Sequence, residues 1–160
     1  IELIIVIVLV GVLAVVVSPS ASVFPEMKLR AATERVTSDL RYAQSFARQE
    51  GGPVGLSFHA GLKKYTMVHT IAQVPEPDPL EPTKSLVFDT AADSRFKGIT
   101  FTWELPSGND VLLFDSIGQP RDDLYEVAVT PAVITLHLNS STAAITVEPV
   151  TGRVSSVVTP

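Results

Sequence analysis

Cysteine is missing from this chain of 160 residues. Its absence excludes disulfides, thiolate nucleophiles and cysteine-based zinc sites, and leaves the compartment open. Charge is scarce, at 18% of residues, and positive charge is scarcer: 12 Lys and Arg stand against 17 Asp and Glu, for a net of −5. Residues 1–25 carry only Glu2, residues 26–50 hold five bases and four acids, and residues 51–160 hold seven bases and twelve acids. A nucleic-acid phosphate footprint is therefore disfavoured. No Gly-rich phosphate loop and no Gly-x-Ser-x-Gly elbow occurs. His59, His69 and His137 are far apart and none has a metal-binding spacing, so each reads as an ordinary strand residue. Long apolar runs are also lacking, with one exception, Leu3 to Val17, and a multi-span membrane protein is excluded. The apolar content of 46% rules out disorder throughout, and the length fits one domain with a core.

The exception dominates the reading. A secretory signal would need a basic start and a small-residue cleavage site, yet Glu2 precedes the run and no such site closes it. A plain anchor of seventeen helical residues would reach roughly 25 Å, at the short limit for a core of ~30 Å. Glu2 is of no use to a plain anchor and costs on the order of 2.5–3.5 kcal/mol if it sits in hydrocarbon. It suits a helix that leaves the bilayer and meets a positively charged partner among copies of itself. A solvated position at the interface is the other account of it.

The order Ile-Glu-Leu-Ile-Ile-Val-Ile-Val-Leu-Val-Gly-Val-Leu-Ala resembles the mature start of type IV pilins and type II secretion pseudopilins. Those proteins begin Phe-Thr-Leu-Ile-Glu after prepilin peptidase cleavage. With an offset of three, Glu2 falls on the family's glutamate, Gly11 on its helix glycine and Pro19 on its helix-breaking proline. The leader, cleavage glycine and first aromatic residue do not stand in this sequence. The resemblance implies that Glu2 pairs with the N-terminal amine of a neighbouring subunit, each charge lowering the other's desolvation cost. It implies a filament core built from Leu3, Ile4, Ile5, Val6, Ile7, Val8, Leu9 and Val10. It also implies that the stretch from Gly11 to Pro19 extends on assembly. The residues suit that role. Glycine weakens a helix by ~1 kcal/mol relative to alanine. Proline removes a donor, and Val15 to Val17 are poor helix formers.

Breaks at Ser18-Pro19-Ser20 and Phe24-Pro25 divide an N-terminal hydrophobic segment, 1–24, from a globular head, 25–160. An amphipathic helix is expected over 26–50, since Leu29, Ala32, Val36, Leu40, Ala43 and Ala47 recur at helical spacing and Gly51-Gly52-Pro53 stops it. Alternating residues then predict strands within 53–158: 54–58, 65–68, 99–105, 111–114, 127–129, 134–138, 145–147 and 154–158, the last closing the sheet. Val74 to Pro82, with four prolines and three acids, reads as an extended, solvated, polyproline-like loop, either a stiff connection between strands or a partner-binding surface. The fold class expected is α+β: a long N-terminal hydrophobic helix, broken near Gly11–Pro19, and an antiparallel sheet head.

The head resembles the GspH/FimT-like subgroup of that family in three loose patterns. These are Arg41-Tyr42-Ala43-Gln44-Ser45-Phe46-Ala47-Arg48 on the helix, Phe114 with Gly118, and Gly152-Arg153-Val154. Some pseudopilins bind calcium, and Asp115, Asp122 and Asp123 are the candidates here, weighed against a solvated acidic turn around Gly118. The spacing fits no EF-hand loop, and neither a metal nor a cofactor is expected. Some relatives take up DNA through basic C-terminal residues, but Thr151 to Pro160 holds Arg153 alone. Asn139-Ser140-Ser141 fits a glycosylation sequon and equally a polar turn. The function expected is a non-enzymatic subunit of a pilus or pseudopilus, polymerising with itself or with other pilins. It would sit singly spanned in the inner membrane before assembly and in a periplasmic or extracellular filament after it. The alternative is a minor pilin whose head binds DNA, a secreted substrate or a surface.

Overall fold

The computed structural model describes residues 23–59, 61, 63–69, 72–79, 81–106, 108–122 and 124–159. Glu2, the run Leu3 to Val10, Gly11 and Pro19 lie outside them.

One long helix, α1, runs Val23–Glu50, three residues ahead of the expected start. Pro25 is tolerated because a first-turn N–H has no helical partner, and Glu26 complements the positive end of the dipole. Gly51, at φ +70°, ends the helix and donates its N–H to the Ala47 carbonyl at 3.1 Å. The stripe Leu29, Ala32, Val36, Leu40, Ala43 and Ala47 is wholly buried. Each buried Leu or Val there stabilises by roughly 1.5–3 kcal/mol, and the alanines let the helix lie close to the strands.

The strands form two antiparallel sheets rather than the single sheet expected. The first holds β1 (Val54–His59), β2 (Lys64–His69), β3 (Val74–Pro75), β4 (Val87–Asp89), β6 (Val111–Phe114) and β7 (Pro120–Arg121). Its order is β3-β2-β1-β6-β7, with β4 also paired to β2. The second is β10 (Val154–Thr159), β9 (Ser141–Val147), β8 (Ala132–Leu138) and β5 (Thr100–Glu104), in that order. Burial pattern explains the split. Strands β1 and β6 are buried on both faces, whereas β8 alternates buried and half-buried positions. One sheet is covered on two sides and the other on one, so they pack as layers with α1 against both. Asn139, at φ +56°, makes the tight β8–β9 turn, so the polar-turn account of the sequon describes its conformation.

Aromatic rings join the layers. Phe58 of β1 stacks on Trp103 of β5 at 5.2 Å between centroids and meets the edge of Phe101 at 6.4 Å. Tyr65 and Phe88 extend the cluster at 5.3 Å.

Two sequence expectations are corrected. Val127 and Val129 are not in a strand: Val127 makes a single bridge to Arg121 and Val129 is exposed. The Asp122 carboxylate accepts the Leu124 and Glu126 N–H groups, and Tyr125 takes φ +65°, which breaks an extended path. The loop instead lays Tyr125 over Val68, Val111 and Leu113 on the back of the first sheet. The proline-rich segment is likewise not a polyproline coil. It is a narrow arm: Pro77 bridges Ser85, and Asp78 donates its N–H to the Lys84 carbonyl at 2.7 Å. Pro75 and Pro77 alternate with the inward-donating Glu76 and Asp78, so the outer edge presents no N–H at the prolines.

Candidate functional site

The three loose patterns of the head meet at one place. Arg41, Gln44 and Arg48 share a face of α1, being three and four residues apart. The Gln44 amide donates to the Gly118 carbonyl at 2.7 Å and to the Gly152 carbonyl at 3.1 Å. Arg48 Nε donates to the Ile117 carbonyl at 3.2 Å, and Arg41 Nη2 to the Val154 carbonyl at 3.4 Å. One helix face thus clasps the β6–β7 turn of the first sheet and the β9–β10 turn of the second.

The glycines are there for two reasons. Gly118 and Gly152 have φ +83° and +64°, in the left-handed region. A Cβ on Gly152 would also overlap the Gly118 carbonyl oxygen and the Gln44 amide, and one on Gly118 would overlap the Arg48 guanidinium. Phe114 is fully buried beneath. Arg153 contributes its backbone, accepting from the Glu148 N–H at 3.0 Å, while the residue stays exposed.

Asp115 is not part of a solvated acidic turn. It is buried, and its Oδ1 accepts the Ile117 and Gln119 N–H groups at 3.0 and 2.8 Å. Its Oδ2 takes both Nε and Nη2 of Arg121, at 2.9 and 2.7 Å. Burial alone would raise its pKa. The Arg121 guanidinium and the Gln119 and Ile117 amides outweigh that and hold the carboxyl below the usual carboxylate range. Asp122 caps its own separate turn, apart from the turn that Asp115 holds, and Asp123, the third candidate, lies outside the described residues. No group of three or more metal-ligating side chains gathers among the described residues.

Sequence reasoning missed a second buried carboxylate. Asp39 of α1 accepts from the Tyr65 hydroxyl at 2.8 Å and from Arg35 Nε at 3.1 Å. Burial raises the Asp39 pKa despite both partners, and burial with the adjacent carboxylate pushes Tyr65 well up. The signal was present: Asp39 lies three residues after Val36 and four before Ala43, inside the apolar stripe. The Asp-Ser-Ile-Gly order after β6 was the corresponding mark of an Asx turn at Asp115.

The histidines have local partners. His59 Nε2 lies 3.1 Å from Thr66 Oγ1, His137 Nε2 3.1 Å from Thr102 Oγ1, and His69 Nδ1 2.9 Å from Glu76 Oε1. Among the described residues no helix is long and apolar enough to cross a membrane. Exposed apolar side chains remain at both ends of α1. Met27 and Val158 lie at its start, and Ile117 lies beside Arg48 near its end.

No protein-family model matches the chain, and no curated protein matches it in sequence. Solved structures do. The minor pseudopilin EpsH of the type 2 secretion system of Vibrio cholerae superposes with a TM-score of 0.59 at 13% identity, covering 81% of this chain and 96% of that one. The type IV minor pilin FimU of Pseudomonas aeruginosa matches in two crystal forms. One gives a TM-score of 0.56 at 17% identity over 82% of this chain and 93% of that one; the other gives 0.55 at 16%, over 79% and 86%. What is shared is the fold, a pilin-like α+β head with one helix packed on antiparallel sheets.

Proposed function

We propose that this chain is a structural subunit of a bacterial type IV pilus or type II secretion pseudopilus, polymerising through its N-terminal segment. The observation that carries the proposal is a coincidence of two independent features. A pilin-like head that begins with a long helix is preceded in the sequence by an apolar segment in which Glu2, Gly11 and Pro19 stand at the family's spacing. Before assembly the run Leu3 to Val17 holds the subunit in the inner membrane as a single pass. After extraction by the assembly machinery, Leu3 to Val10 pack into the core of a periplasmic or extracellular filament. Glu2 recruits the subunit by pairing with a neighbour's N-terminal ammonium, a pair that neither charge could replace with solvent inside the bundle.

Replacement of Glu2 by alanine or leucine tests this. The variant is expected to fold, to remain in the membrane and to enter filaments poorly. Wild-type filament number and subunit content in the variant would defeat the pairing role.

A second reading narrows the first: a minor subunit, present in few copies, because both neighbours named above are minor subunits. Its mark would be a small fixed ratio to a major pilin in purified filaments. A DNA-binding version of that reading is poorly supported, since Arg41, Arg48 and Arg121 are engaged within the head. Partners are accordingly other pilins or copies of this chain, and the role is architectural rather than catalytic.

A further inference from the structure

The two sheets end differently. On the first, the outer strand β3 and its continuation carry Pro75 and Pro77 where an N–H would otherwise face outward, one of the devices that prevent strand addition. On the second, β10 reads Val-Ser-Ser-Val-Val-Thr, with no proline and no charge. Its direction of hydrogen bonding follows from the ladder. Glu148 donates to the Arg153 carbonyl, so 148 and 153 are a bonded pair, and alternation then turns Ser155, Val157 and Thr159 toward β9. Val154, Ser156 and Val158 point their backbone groups the other way. Arg41 takes the Val154 carbonyl, as that alternation requires. Among the described residues no hydrogen bond reaches the outward groups of Ser156 and Val158. They border a groove of about 530 Å³ whose far wall is the start of α1, with Glu26, Met27, Arg30 and Glu34. Met27 is 63% exposed and Val158 39%.

We infer that the outer edge of β10 is a strand-addition site for an extended segment of a partner protein that carries apolar and basic side chains two positions apart, on one face. The backbone of that segment pairs with Ser156 and Val158, and specificity comes from alternate side chains entering the groove. An apolar side chain fits between Met27 and Val158. The basic requirement comes from charge: two carboxylates line the groove against one guanidinium. Arg30 is already shared with Glu34 at 3.3 Å, which leaves Glu26 without a partner among the described residues. A second copy offering its own β10 is the poorer occupant. Antiparallel self-pairing would turn its α1 end for end and send its apolar run away from the first copy's membrane, an argument that rests on the proposed function.

The test uses the full chain in detergent micelles and a fluorescent peptide of about seven residues in which valine and lysine stand two positions apart, on one face, with serine between them. The peptide is expected to bind and to slow hydrogen exchange at the Ser156 and Val158 amides. V158P installs the guard that the first sheet carries, removes an N–H that β9 does not use, and is expected to weaken binding at least about tenfold. E26R, remote from the ladder, is expected to weaken it similarly while leaving the fold untouched, and it decides the matter if V158P unfolds. A peptide with glutamate in place of lysine should bind at least about tenfold more weakly. Absence of binding, equal affinity for the acidic peptide, or protection away from β10 would overturn the inference. So would sedimentation showing a dimer of the chain that V158P abolishes, since the occupant would then be a second copy. None of these outcomes depends on filament entry, which the Glu2 variants report separately.

Discussion

Gly152→Ala puts a methyl group at the point where α1 holds both sheets. Three costs apply. A non-glycine residue in the left-handed region costs roughly 1–2 kcal/mol. The new Cβ overlaps a backbone carbonyl, that of Gly118, which can retreat only by moving the β6–β7 turn, and overpacking of this kind costs about 1–3 kcal/mol. If Gln44 yields instead, its two hydrogen bonds are lost, at ~0.5–1.5 kcal/mol each. The last two are partly alternatives, so the total is about 3–5 kcal/mol, a large share of the roughly 5–15 kcal/mol that stabilises a domain. Gly51→Ala is the control. Its φ of +70° is nearly the same, but nothing lies within 4 Å of an added Cβ, so only the roughly 1–2 kcal/mol backbone cost should appear. Urea unfolding followed by Trp103 fluorescence reads both, because the indole, the only one in the chain, stacks on Phe58 of the other sheet. In a Gln44→Ala background the Gly152→Ala loss should shrink by about 1–2 kcal/mol as the crowded amide is gone. Equal losses for the Gly152 and Gly51 variants would refute the clasp as a tight three-way contact.

Residues 25–160 alone are expected to be soluble and to unfold cooperatively, since the buried stripe and both sheets lie within them; aggregation or a non-cooperative transition would place the boundary elsewhere. In an assembled filament, residues 11–19 are expected to lack regular helical hydrogen bonds. Each would change from ~1.5 Å to ~3.3 Å of rise, lengthening the stalk by roughly 15 Å, and unbroken helical density from Leu3 to Ser18 would contradict this. Asp115→Asn is expected to cost about 2–4 kcal/mol at neutral pH by leaving Arg121 half-buried and unpaired. Because the native pKa of Asp115 is lowered, its contribution is present above the ordinary carboxylate value and is lost as pH falls through the native one. The gap between wild type and variant should therefore close on acidification, and a gap independent of pH down to acid unfolding would exclude the ion pair as its source.

The helix and most strands were legible because their burial is periodic: Leu29 to Ala47 at helical spacing, and Ile134, Leu136 and Leu138 in alternation. The split into two sheets was not, since alternation reports which side of a strand is buried and not which strand lies beside it. Val127 and Val129 show the limit. They alternate like a strand, but the capping carboxylate of Asp122 and the left-handed Tyr125 act across the register and turn the chain away. Val74 to Pro82 failed for a related reason. Prolines at alternate positions suit an edge strand as well as a polyproline coil, and only the partner on the inner side distinguishes them. The meeting of Gln44, Gly118 and Gly152 joins residues 74 and 108 positions apart, beyond any local pattern.

A tether fixed to the start of α1 would load the head as a lap joint. The clasp grips the opposite end of the helix, and the buried stripe between is parallel to the pull. Tension entering at residue 23 is therefore spread over the whole overlap and resisted in shear, with Gln44 and Arg48 strained together with Leu29 rather than after it. A helix held only near its start would peel away turn by turn at low force. Placing the grip farthest from the point of attachment lets a small domain without a single covalent cross-link bear a steady load.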